Sequence, residues 1–306
     1  MTPSPTRASK VAALALAGAL IVPVFLAGCP TGDDMAHAAN AARTEAVQYP
    51  WQGTDDEIVV NLAIGSLHHA MLNWLTTERG IHAETLLVSI GAIAGFAAQS
   101  AALERIRMRD IDGVDKTMEA DAFSRLLQQR GLAVVVTAKS GETYYFGDLI
   151  NGYLVQQNTT VHHSLFAILA GGAIAAGVKP EELPDVRPMF AHAAKTAGTS
   201  DYGILHPPSN LSPQLTPRQA LDLFWPRVKF IFERTDGQRV VEQAGGRNVR
   251  PEYWPLITAL VARKFLLMAK DTIEPRAGLA LMIESAIVMS KVDPKGVPQS
   301  VPADAQ

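Results

Sequence analysis

Two stretches constrain this chain more than any others. Residues 86–98 and 165–178 are apolar nearly all the way round. A helix that is hydrophobic on every side belongs in a protein core or in a bilayer. Each run holds about 13–14 residues where a bilayer crossing needs about 20, so both read as buried core helices. Both are rich in Gly and Ala. Gly91 and Gly95 stand four apart, as do Ala173 and Gly177, a spacing that lets helix backbones approach closely. The two runs also resemble one another. His82 precedes Gly91-Ala92-Ile93-Ala94 by nine residues, and His163 precedes Gly172-Ala173-Ile174-Ala175 by nine, an offset of 81. One matching pair in an Ala-rich chain is thin evidence for a duplication.

The rest of residues 51–292 reads mainly as helix. Val59, Ala63, Leu67, Ala70 and Trp74 form one apolar stripe, which predicts a helix from an Asp55 cap to about Thr77, stopped by Gly80. Further helices are expected over 81–108, over 117–130 with Gly131 past its end, and over 149–156 from an Asp148 cap. Thr159 or Thr160 caps the run that ends at Gly177, and Pro184 opens a helix ending near Gly198. Thr216-Pro217-Arg218-Gln219 combines a Thr cap, Pro at the first position and Gln at the third, and predicts a sharp helix start. Pro226 is expected to kink or break that helix, and residues 228–241 read equally as helix or as hairpin. Helices over 254–271 and 275–291 finish the fold. The one clear β signal is the β-branched run 132–138, turned by Lys139-Ser140-Gly141-Glu142 and returning through Thr143-Tyr144-Tyr145-Phe146. The expected fold is therefore mainly α: a single domain, a multi-helix bundle around two buried Gly/Ala-rich helices, with one small β-hairpin.

Composition removes several functional classes. Hydrophobic residues make up 48% and charged residues 19%, too apolar a balance for a disordered chain. A single cysteine excludes a disulfide scaffold and the thiolate zinc sites. A net charge of −3 gives no field for nucleic acid.

The position of that cysteine is informative. Arg7 and Lys10 form a basic n-region without acidic residues, and 11–27 is an apolar h-region. The run ends in Leu26-Ala27-Gly28-Cys29. This segment resembles the lipobox signal of bacterial lipoproteins, over about the first thirty residues only. The resemblance implies cleavage before Cys29 and lipidation of Cys29, with two or three acyl chains holding the protein on a membrane. Loss of Arg7 and Lys10 with the signal would move the net charge from −3 to −5. An uncleaved transmembrane anchor and a cytoplasmic protein starting at Met35 are the competing readings. Residues 29–50, rich in Ala, Asp and Thr, read as a tether, and 293–306, with three prolines, as a disordered tail.

Histidines gather near the core helices. His82 and Glu84 open one, and His163 opens the other. A helix N-terminus disfavours imidazolium, and neutral imidazole is the form that binds metal. Convergence of His82, Glu84 and His163, completed by His69 or Asp148, would make a His/carboxylate site for zinc or iron. No H-E-x-x-H or related spacing supports it, and the same residues serve equally as helix-end partners. Gly198-Thr199-Ser200-Asp201-Tyr202-Gly203 only half matches a nucleophile elbow, because Tyr202 stands where the second glycine belongs. Arg234, Arg239, Arg247 and Arg250 surround Gly245-Gly246 and are candidates for binding an anion such as a lipid headgroup phosphate. Taken together, the expectation is a lipid-anchored helical protein of the bacterial cell envelope, its domain in the periplasm or outside the cell. It would act by binding or scaffolding a protein partner rather than by catalysis. A metal-dependent enzyme is the alternative.

Overall fold

The computed structural model of the chain describes residues 48–155, 163–206, 211–233 and 248–301. The described residues hold nine α-helices: α1 (Glu57–Leu75), α2 (Ala83–Arg107), α3 (Ala120–Gln129), α4 (Asp148–Leu154), α5 (Leu165–Ala175), α6 (Arg187–Thr196), α7 (Pro217–Glu233), α8 (Trp254–Ala269) and α9 (Pro275–Met289). Two antiparallel strand pairs accompany them. β1 (Thr76–Thr77) pairs with β2 (Gly80–Ile81), and β3 (Val134–Thr137) with β4 (Thr143–Phe146). The fold is mainly α, as the periodicity predicts, with the expected hairpin in register from Val134 opposite Phe146 to Thr137 opposite Thr143. The β1–β2 pair was not expected. The helix that was to run to Thr77 stops at Leu75, and Gly80, at φ 94°, turns the chain back.

α2 is the centre of the bundle. Every residue from Leu86 to Gln99 is buried, and α4, α7, α8 and α9 pack around it. Gly91 and Gly95 do what their spacing predicts, but the partner is α9; Gly177 lies past the end of α5 with nothing among the described residues within 4 Å of a built Cβ, so the second pair makes no such approach. A Cβ on Gly91 would stand 2.5 Å from the Met282 carbonyl oxygen, and one on Gly95 would run into the Ala286 backbone. α5 and α2 make no broad contact with each other; α8 lies against both. In α5, Gly172 makes room for the Arg263 stem, with 2.8 Å between a built Cβ and Cγ. α5 also keeps a partly open side, at Ala167, Gly171 and Ala175. α9 is the more enclosed helix, buried from Ala277 to Met289 except at Ala280.

Among the described residues two helices have the length and composition to cross a membrane. In α2 that stretch is 89% buried within the domain; in α1 it is 33% buried.

Local chemistry fixes several boundaries. The Thr216 hydroxyl accepts the Gln219 N–H at 3.2 Å, while Gln219 Oε1 accepts the Thr216 N–H at 3.0 Å. This reciprocal pair satisfies two otherwise free donors and starts α7 where the motif places it. Pro226 lies buried inside α7, and the helix runs on to Glu233. So 228–233 is helical rather than hairpin; 234–247 lie outside the described residues. Ser164 caps α5, its hydroxyl accepting the Ala167 N–H; Thr159 and Thr160 are outside the described residues. α6 opens at Arg187, after a short 3-10 turn at Pro180–Glu182. Residues 293–297, assigned to a tail by composition, form a 3-10 turn at Pro294–Gly296 started by Asp293, followed by buried Val297.

Candidate functional site

The residues singled out from sequence are spread over separate local networks. His82 is the residue before α2. Its Nε2 meets Glu84 Oε2 at 2.9 Å and its Nδ1 meets Thr85 Oγ1 at 2.9 Å, so both ring nitrogens are engaged. Thr85 in turn accepts the Gln214 N–H, tying the segment before α7 to the start of α2. His163 Nε2 lies 3.3 Å from the Gln48 carbonyl, and its ring stands beside Tyr49. His69 packs edge-on against His68, whose ring stacks on Phe265. Burial, then the charges of Lys264 and His69, hold His68 below the usual histidine range. Asp148 sits in the first turn of α4. Packing around its carboxyl raises its pKa, and Lys291 pulls against that. Among the described residues no three His, Cys, Asp or Glu side chains are grouped to hold a metal ion.

Of the four arginines, Arg234, Arg239 and Arg247 lie outside the described residues, as does Cys29. Arg250 is engaged by Asp56 at 3.0 Å and Glu252 at 3.5 Å. The Tyr253 hydroxyl also donates to Asp56, a buried carboxylate at the start of α1. Asp56, rather than Asp55, occupies the cap position, and its side chain serves this tertiary network instead of the helix end.

The polar chemistry of the core belongs to α9, which sequence reading treated as an ordinary helix. A buried polar group must be paired or it costs about 1–3 kcal/mol. Each one on α9 reaches a different element. The Ser285 hydroxyl donates to the Val88 carbonyl of α2 at 2.8 Å. Just past the helix, Lys291 is 1% exposed; its Nζ donates to Asn151 Oδ1 of α4 at 2.6 Å and stands over the rings of Phe146 and Phe190. The Tyr202 hydroxyl donates to the Val288 carbonyl. Burial of its hydroxyl pushes the Tyr202 phenol well above its usual range. Tyr144, edge-on to Tyr202, donates to Glu142 at 2.9 Å and is pushed up to about 12, first by burial and then by that carboxylate.

Glu284 is the most constrained of these groups. It is an acid in the middle of an enclosed helix, 7% exposed. One oxygen accepts the His206 backbone N–H at 2.9 Å and the other meets His206 Nδ1 at 2.9 Å. The His206 ring stands perpendicular to that of His192 on α6, with centroids 4.4 Å apart. Among the described residues, the buried His192 Nε2 has no hydrogen-bond partner. The loop that delivers His206 leaves α6 through Gly198, at φ 78°, where a Cβ would collide with Ala138. The half-matched nucleophile motif lies in this loop, but a helix precedes it instead of a strand. Its Ser200 hydroxyl donates to the adjacent Asp201 at 3.3 Å. The signal that would have found the site is Glu284 itself, the one acidic residue in the apolar run 277–289.

Comparison of the chain with protein-family models, with curated proteins and with solved structures gives no match in any of the three.

Proposed function

We propose that this chain is a lipid-anchored, mainly helical protein of the bacterial cell envelope that works by binding or scaffolding. The observation that carries the reading is Leu26-Ala27-Gly28-Cys29 at the end of a basic n-region and an apolar h-region. The anchor is the acylated Cys29, and two or three chains give stable membrane attachment where one gives a marginal one. About twenty residues separate that cysteine from Tyr49, where packing onto the domain begins through the stacked ring of Trp51. The binding role is favoured because buried polar side chains are used to tie one element to another, Ser285 and Tyr202 through backbone carbonyls and Lys291 through Asn151.

Metabolic labelling with an alkyne-bearing fatty acid tests the anchor. The reading expects label on the wild-type protein in the membrane fraction, and loss of the label on Cys29→Ser. Unlabelled protein in the soluble fraction of wild-type cells would overturn it in favour of initiation at Met35. Unlabelled protein that stays in the membrane would point to an uncleaved N-terminal helix.

A further inference from the structure

We propose that His192 and His206 form a binding site for one borderline transition cation, copper(II) or zinc(II), with Glu284 behind it as the group that orients His206. This goes beyond the anchor reading and does not depend on it. A carboxylate only accepts, so the Glu284 contact assigns the hydrogen of His206 to Nδ1 and leaves the lone pair on Nε2. That arrangement, with the far nitrogen bonded to a carboxylate, is how metal-binding imidazoles are oriented. The His206 backbone N–H on the second Glu284 oxygen fixes the main chain as well as the ring. His206 is not sealed in: its side chain is 61% exposed, which gives an ion a way in.

A purely structural staple accounts for Glu284 and His206 but not for His192. Its Nε2 is enclosed with no partner among the described residues, and a buried polar atom in that state points to a water or an ion. The ring separation accommodates the ion. Two imidazoles binding one cation at 2.0–2.1 Å through adjacent positions at right angles place their centroids roughly 4.5 Å apart. The observed separation is 4.4 Å with the ring planes at 83°. Two imidazole nitrogens with solvent in the remaining positions suit copper(II) best, since it accepts tetragonal nitrogen and oxygen sets and heads the divalent affinity order.

The test is a titration of the full chain, purified in detergent and carrying Cys29→Ser so that no thiol competes, with copper(II) followed by electron paramagnetic resonance. The proposal expects the first equivalent to show hyperfine coupling to imidazole nitrogens, with a tenfold or greater loss of affinity on His192→Asn and on His206→Asn. Glu284→Gln, checked for folding by its thermal melt, should weaken binding 10–100-fold, the usual effect of removing an orienting partner. His68→Asn with His69→Asn should leave the first equivalent unchanged. The proposal is overturned if no copper binds, or if the first equivalent is unaffected by His192→Asn and His206→Asn. The rings are then an edge-to-face contact with a water on His192.

Discussion

Replacing Gly95 with alanine tests the packing account at its tightest point. A methyl group there meets the carbonyl oxygen, carbonyl carbon and Cα of Ala286, all backbone atoms of a helix packed on both sides. Ordinary contact begins near 3.4 Å, and at the neighbouring Gly91 the shortfall against Met282 is already about 0.9 Å; at Gly95 it is larger. No rotamer relieves a backbone clash, so α2 and α9 must separate. Overpacking of this kind costs about 1–3 kcal/mol, and more where backbone must move, while alanine returns about 1 kcal/mol of helix propensity. At the top of that range the expected net loss is about 2 kcal/mol, or roughly 4–8 °C in Tm for a domain of this size. Gly65→Ala is the matched control. It sits inside α1 with nothing within 4 Å of a built Cβ, so it should gain up to about 1 kcal/mol. Urea unfolding followed by circular dichroism measures both. Equal stability of Gly95→Ala and wild type would refute the close α2–α9 approach.

Three further outcomes follow from the polar groups of the core. Glu284→Leu removes the acceptor of the His206 N–H, so hydrogen exchange at the 198–206 loop should accelerate at least tenfold, with a loss of about 1–3 kcal/mol in global stability because the freed His206 donors lose their partner; unchanged protection would mean the carboxylate does not hold the loop. Lys291→Met leaves Asn151 Oδ1 buried without its donor and should cost about 1–3 kcal/mol in urea unfolding; a neutral result would show that water takes the lysine's place. The Asp148 pKa is raised in the folded state, so the native protein binds the proton more tightly than the unfolded chain, and stability falls as pH rises from the usual carboxylate range through the folded pKa. Asp148→Asn should flatten that limb of the stability profile, by under ~1 kcal/mol because the carboxyl still meets solvent; an unchanged profile would remove Asp148 from the account.

The helices were legible because their signals are local. A reciprocal Thr216–Gln219 cap, a β-branched hairpin and an all-apolar run each state their structure within a few residues. What packs on what was not legible. Gly91 and Gly95 announce a close approach, yet nothing in the run says whether α5 or α9 supplies the facing backbone. The α9 sequence carries Glu284, Ser285 and, just beyond, Lys291, which look like solvent contacts until their partners arrive from α2, α4 and the 198–206 loop. The Glu284–His206 contact joins residues 78 apart, and no spacing rule reaches that far. His82 and His163 were conspicuous in sequence because they flank the apolar runs, but each is satisfied by its own neighbourhood, at Glu84 and Thr85 for one and Gln48 for the other.

The most direct test of the central claim is mass spectrometry of the N-terminal tryptic peptide from protein extracted from native membranes. The account predicts a peptide beginning at Cys29 and ending at Arg43, carrying a diacylglycerol thioether. An unmodified peptide beginning at Met35, or one in which residues upstream of Cys29 remain attached, would contradict it.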